Sequence, residues 1–237
     1  MSKVWFTGDY HLGDPRLEML QRPFTSVDEH AETLLRLHNE VVSPEDTVVN
    51  VGDIVAKNAS SPQNWLECIE EFNGRKIIIR GNHDAQFEDS QLEEHFDEVV
   101  DEGKRLLGLY NLDEGKMIDT DGGLLPPSGT LPICITHYPT RSLPEFYNIV
   151  GHIHSSWKVQ KNMLNVGVDV CHFRPMPEDR IGFYHAAVTD FYDDDVWCAC
   201  HFANDPYNDS RGKDGTYYTP DMERDETSHE SWIKLRH

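Results

Sequence analysis

The chain has 237 residues, 38% apolar and 27% charged, which suits one folded domain with a real core and excludes a wholly disordered polypeptide. Its net charge of −21 argues against a protein that holds duplex nucleic acid mainly through phosphate contacts, while bound divalent cations would still admit a small anionic substrate. No run of about 18 apolar residues exists to cross a membrane, and the start MSKVWFTGDYH lacks the apolar stretch of a secretory signal, so the cytoplasm is the expected location.

In chain order, the first buried-strand candidate is Val4-Trp5-Phe6. A capping box at Ser26-Val27-Asp28-Glu29 then opens a helix, with Val27, Ala31, Leu34, Leu35, Val41 and Val42 at helical spacing. Val48-Val49 is the next strand. Ser61 as N-cap and Pro62 at the first position predict a second helix, with Trp65, Leu66, Ile69 and Phe72 apolar and Asn73-Gly74 ending it. Ile77-Ile78-Ile79 follows, then a weaker helix over Ser90 to Phe96. Asp113 to Pro132, rich in Gly, Pro and Asp, reads as a loop. Further strands are expected at Ile133-Cys134-Ile135 and Ile149-Val150, and late ones at Gly182 to Val188 and Val196 to His201. Short apolar runs without alternation suit strands covered on both faces, and their alternation with helices predicts an α/β fold. From about Ala203 the chain turns polar. The expected organisation is a domain over 1–202 and a polar C-terminal extension over 203–237, in which Trp232, Ile233 and Leu235 could dock. The five cysteines form no CxxC pair and read as reduced thiols rather than a structural zinc module.

The chemistry lies where the strand candidates end. Val4-Trp5-Phe6 leads into Gly8-Asp9-Tyr10-His11, and Val48-Val49 into Gly52-Asp53. Ile79 leads into Gly81-Asn82-His83-Asp84, Ile135 into His137, and Val150 into Gly151-His152-Ile153-His154. An open α/β sheet places its ligand site at the carboxyl ends of its strands. Singly, the first four blocks read as turns or an interior histidine, and Gly-His-x-His alone reads equally as a turn or a metal site. Together, each after a buried strand, they point to a metal centre of oxygen and nitrogen ligands without thiolate. That set suits Mn, Fe, Zn, Ni or Co better than Ca or a structural zinc.

The five blocks DxH, GD, GNH[DE], His and GHxH, in this order, resemble the calcineurin-like metallophosphoesterase superfamily. Arg22-Pro23-Phe24, His137-Tyr138-Pro139, Val166-Gly167-Val168-Asp169 and Arg174-Pro175 resemble its small single-domain bacterial and phage members. The resemblance implies a four-layer sandwich of two mixed β-sheets flanked by helices. It implies one ion held by Asp9, His11, Asp53 and His154, and a second by Asp53, Asn82, His137 and His152, with Asp53 bridging. It implies attack on phosphorus by a metal-bridging hydroxide, with His83 as the catalytic histidine at the leaving oxygen. Asp84 reads as structural.

The expected substrate is small and phosphorylated, foremost a nucleotide-type phosphodiester. A phosphomonoesterase or a nuclease of the same superfamily is the alternative, and a non-enzymatic interaction scaffold a further one that the presence of His83 disfavours. The DRG-type block of protein Ser/Thr phosphatases is absent after Asp53. Arg22 and Arg141, beside motif blocks, are the candidate phosphate contacts. No P-loop, HExxH or GxSxG motif is present. The oligomeric state is not legible in the sequence.

Overall fold

The computed structural model describes residues 2–118, 127–191 and 231–232. The chain runs β1 (Val4–Thr7), α1 (Val27–Asn39), β2 (Thr47–Asn50), α2 (Pro62–Glu67), β3 (Arg75–Ile79), α3 (Asp89–Glu93), β4 (Glu98–Val100) and β5 (Leu106–Asn111). It continues through β6 (Lys116–Ile118), β7 (Thr130–Ile135), β8 (Tyr147–Val150), β9 (Val159–Gln160), β10 (Met163–Asn165), β11 (Met176–Pro177), α4 (Asp179–Phe191) and β12 (Ser231–Trp232).

Two mixed sheets result. The first has the order β11-β1-β2-β3-β4, parallel except for β11. The second has the order β12-β5-β7-β8-β10-β9, with β6 also pairing β5. Within it β7, β8 and β10 run parallel. The sheets share one core: Phe6, Val49, Ile77 and Ile79 of the first meet Leu106, Ile133, Ile135, Ile149 and Leu164 of the second. Ile78 points the other way and meets Leu34 of α1, Leu66 of α2 and Leu92 of α3. With a covered layer on each side, these strands carry apolar residues at consecutive positions, as their sequences imply. The α/β sandwich of two mixed sheets with helices is thus the observed fold. Glu178 joins the sheets through backbone: its carboxylate accepts N–H of Val4 at 3.1 Å and of Met117 at 2.6 Å.

α1 is capped as expected at Ser26, whose hydroxyl accepts the Glu29 N–H at 3.1 Å. The Glu29 carboxylate reaches back one residue further, to Thr25 N–H and hydroxyl. The helix ends at Asn39, and Val42 instead packs with Trp5 and Val48. Ser61 precedes α2 but makes no cap bond, because it stands in left-handed backbone at φ 54°. α3 is shorter than the stretch Ser90 to Phe96.

Three expectations change. Gly182 to Val188 is not a strand but part of α4. Its aromatic and β-branched residues resemble a strand, yet Ile181, Tyr184 and Val188 fall on one helical face; Ile181 and Val188 are buried, and Tyr184 packs on the inter-sheet core. β6 and the start of β7 lie inside the expected loop over Asp113 to Pro132. β4, β5 and the short β9, β10 and β11 were not foreseen. The strand expected at Val196 to His201 and most of the extension over 203–237 lie outside the described residues; within the latter, Ser231–Trp232 pairs with Leu106 and Leu107 of β5.

Candidate metal centre

Five strands, β1, β2 and β3 of one sheet and β7 and β8 of the other, end at the same place. The loops that follow are stitched together by backbone. Asp9 N–H donates to Gly52 O at 2.9 Å, His11 N–H to Asp53 O at 3.0 Å and Gly151 N–H to His137 O at 3.1 Å. Asp9, His11, Asp53, His152 and His154 all stand in left-handed backbone, with φ from 48° to 73°. Non-glycine residues there cost of order 1–3 kcal/mol each and persist only where surrounding bonds over-determine them. Such residues cluster at functional sites, and this cluster falls on the motif residues themselves.

The side chains converge. Asp9, His11 and His154 form one triad whose donor atoms lie within 4.8 Å of one another, and Asp53, His137 and His152 form a second. Asp53 stands between them: its Oδ2 is 3.5 Å from His11 Nε2 and 3.4 Å from His137 Nε2. His137 Nε2 lies 3.2 Å from His152 Nδ1. The His83 ring stands 4.4 Å from that of His11, and His11, Asp53 and His83 form a third close group. Asn82 Oδ1 is buried with no protein partner, and neither ring nitrogen of His11 has a well-formed hydrogen bond. Buried polar atoms left so are costly unless something else binds them. Carboxylate, imidazole and amide oxygen, with orphaned donor atoms turned inward, fit divalent transition ions.

Close packing leaves no slack. A Cβ on Gly81 would lie 2.3 Å from Asp53 Oδ1 and 2.6 Å from His137 Cε1. A Cβ on Gly151 would lie 2.8 Å from Asp9 Oδ2. Gly81 and Gly151 therefore let the backbone approach the donor groups.

The electrostatics match a cation site. Burial disfavours the Asp53 carboxylate, but the close His11 and His137 rings outweigh it and hold the group well below the usual range. Burial pulls His11 and His137 down, but neighbouring carboxylates outweigh it and push both up to about 9. Protons thus neutralise a carboxylate cluster that divalent ions would neutralise in their stead. His83 goes down to about 4, through burial and the nearby His11 charge. Its Nδ1 accepts the Lys57 N–H at 2.9 Å, so in the neutral ring Nε2 carries the proton.

A ring of supporting groups fixes these side chains. His137 Nδ1 meets Val51 O at 2.6 Å, and His152 N–H donates to the Asp9 carboxylate at 3.0 Å. His154 Nδ1 meets Asp169 Oδ2 at 2.9 Å. Asp84, buried, accepts the N–H groups of Asp53, Ile54 and Gly81 at 2.7, 2.9 and 2.8 Å. Asp169 was not expected at the site; its only signal was its place in the Val166-Gly167-Val168-Asp169 segment.

Arg22 departs from its expectation as a phosphate contact. It is 3% exposed, and its guanidinium is bound to Asp169, Tyr10 O, Asp9 O and His30, so no donor is left for a substrate. Arg141 is half-buried in the short turn Pro139–Arg141 that follows His137.

The comparisons agree with this geometry. Residues 2–155 match the model of the calcineurin-like phosphoesterases, and the chain belongs to that family of metal-dependent phosphoric ester hydrolases. The gene 66 protein of Mycobacterium phage L5 is 39% identical over 85 residues, covering 36% of this chain and 41% of that protein. The chain therefore spans less than half the length of that relative. An uncharacterized protein of Methanocaldococcus jannaschii is 26% identical over 183 residues, covering 76% of this chain and 90% of its own. A protein of unknown function from Aquifex aeolicus shares the fold, with a TM-score of 0.52 at 20% identity over 78% of this chain and all of that one. No helix among the described residues is long and apolar enough to cross a membrane.

Proposed function

We propose that the chain is a dinuclear phosphoesterase acting on a small phosphorylated substrate, foremost a nucleotide-type phosphodiester, in the cytoplasm. The observation that carries this reading is the position of Asp53, within 3.5 Å of a histidine from each triad. Asp9, His11, Asp53 and His154 would hold one ion, and Asp53, Asn82, His137 and His152 the other. When bound, two divalent ions lower the pKa of water and neutralise phosphoryl charge. Mn is the first choice among Mn, Fe, Zn, Ni and Co.

The residues of the chain orient the groups and stabilise charge at the leaving oxygen by hydrogen bonding. His83 offers Nε2–H to the leaving oxygen while Lys57 N–H fixes the ring from behind. Arg141 is the remaining candidate for a phosphate oxygen. Residues 1–202 form the catalytic domain and 203–237 an extension.

The test is Mn²⁺-dependent hydrolysis of a nitrophenyl phosphodiester beside the matching monoester, with His83→Ala and Asp53→Asn as variants. The expected result is diester turnover that falls about 10²- to 10⁴-fold in His83→Ala. Turnover confined to the monoester would move the reading to a phosphomonoesterase. Absence of metal uptake, or full activity in both variants, would overturn it.

A further inference from the structure

The two triads are held by different supporting groups, and one of these is a single buried arginine. Arg22 spends all its donors inside the protein. Nε and Nη2 form a two-pronged pair with Asp169 at 2.8 and 2.9 Å, the strongest geometry available to a guanidinium and carboxylate. Nη2 also donates to Asp9 O at 2.6 Å, and Nη1 to Tyr10 O at 2.7 Å. Nη1 meets His30 Nε2 at 3.1 Å, closing the fork. The same Asp169 oxygen that takes Nη2 also takes His154 Nδ1, at 2.9 Å. With Nδ1 held, Nε2 is the ring nitrogen left for an ion.

One guanidinium therefore grips the backbone of the first motif and, through Asp169, the ring of the last. These are the segments that supply Asp9, His11 and His154, and all three stand at positive φ, where they need outside restraint. Neither Arg22 nor Asp169 bonds directly to Asp53, His137 or His152; the link to the other triad runs only through the Asp9 carboxylate, which accepts the His152 N–H. Asp53 is held by Asp84, and His137 by Val51 O.

We propose that Arg22 and Asp169 are positioning residues for one half of the centre: they preorganise Asp9, His11 and His154 and thereby set the affinity of that ion alone. The inference rests on the two-ion reading above. Arg22 fits the part where Lys would not, because a lysine cannot satisfy a carboxylate and two carbonyls in one plane. By accepting the His154 N–H, Asp169 also fixes the ring's orientation and tautomer, as carboxylates behind metal-bound histidines do.

The experiment is Mn²⁺ titration by calorimetry of the full chain after chelation, for wild type, Asp169→Asn, Asp169→Glu and Arg22→Lys, beside thermal unfolding of each metal-free protein. Co²⁺ absorption gives a second readout of ligand geometry. The expected result is two ions in wild type. In Asp169→Asn one affinity falls about 10- to 100-fold while the other stays within a factor of about three. Asp169→Glu, which keeps the carboxylate, recovers part of the loss, and the Co²⁺ spectrum changes for one ion only. Wild type that takes fewer than two ions overturns the two-ion reading itself. Wild type with two ions and Asp169→Asn with both affinities unchanged overturns the clamp. Equal weakening of both ions overturns its selectivity, and Arg22→Lys decides the case if Asp169→Asn melts before metal is added.

Discussion

Asp84 offers the most direct test of how the centre is built, because its task is countable. Its carboxylate takes three backbone N–H groups, from Asp53, Ile54 and Gly81. Asp84→Ala leaves all three buried without an acceptor, at about 2 kcal/mol each, a gross loss of about 6. Against that stands the cost of the charge itself. Burial and the neighbouring Asp53 push the Asp84 carboxyl up to about 6 from 3.8, so near neutral pH its ionisation costs the fold about 3 kcal/mol. The net loss for Asp84→Ala is then about 3 kcal/mol at neutral pH.

The pH dependence has a definite sign. The folded pKa is raised, so the stabilisation from Asp84 is full below 3.8 and shrinks as pH rises through about 6. The gap between wild type and Asp84→Ala should therefore be wider at pH 5 than at neutral pH, by about 1–2 kcal/mol. Asp84→Asn keeps one acceptor oxygen but turns an NH₂ toward the donors, and should fall between the two. Urea unfolding of chelated protein, followed by tryptophan fluorescence, measures all of this. A loss below about 1 kcal/mol for Asp84→Ala at neutral pH, with unchanged m, would refute the assignment of three buried bonds.

Three further outcomes follow from the same geometry. Gly81→Ala drives a methyl against Asp53 and His137, and Mn²⁺ affinity measured by calorimetry should fall at least about tenfold; wild-type affinity would contradict the packing. Glu178→Ala orphans the Val4 and Met117 N–H groups, costing about 2–4 kcal/mol and lowering Tm by about 5–10 °C; a shift under about 2 °C would count against its role between the sheets. His38, buried between Tyr10 and Asn73 O, is pushed down to about 4 chiefly by burial, so the unfolded chain takes its proton first. Below about pH 6 wild-type stability should fall about 1.4 kcal/mol per pH unit more steeply than that of His38→Gln, and parallel curves would exclude a neutral buried ring.

The sequence alone determined the candidate donors and the strands that carry them. Each of the five blocks sits within a few residues of a short apolar run, so motif and strand support one another locally. The starts of α1 and α2 are legible for the same reason, since caps and Pro act over three or four residues. The face-to-face stacking of the sheets came from family resemblance; strand patterns show that both faces are covered but not by what.

Tertiary structure decided what distant partners do. Gly182 to Val188 has strand-like composition, yet a helix results because Ile181 and Val188 find the core one helical face apart. Arg22 is an ordinary arginine beside a motif until Asp169, 147 positions away, takes its guanidinium out of solvent. Asp84 neighbours His83 in sequence, but its oxygens turn to the backbone of Asp53 and Ile54. A residue type declares which bonds it can make; only the folded chain fixes which of them are already made, and so whether a charge is free for a substrate or committed to holding the site together.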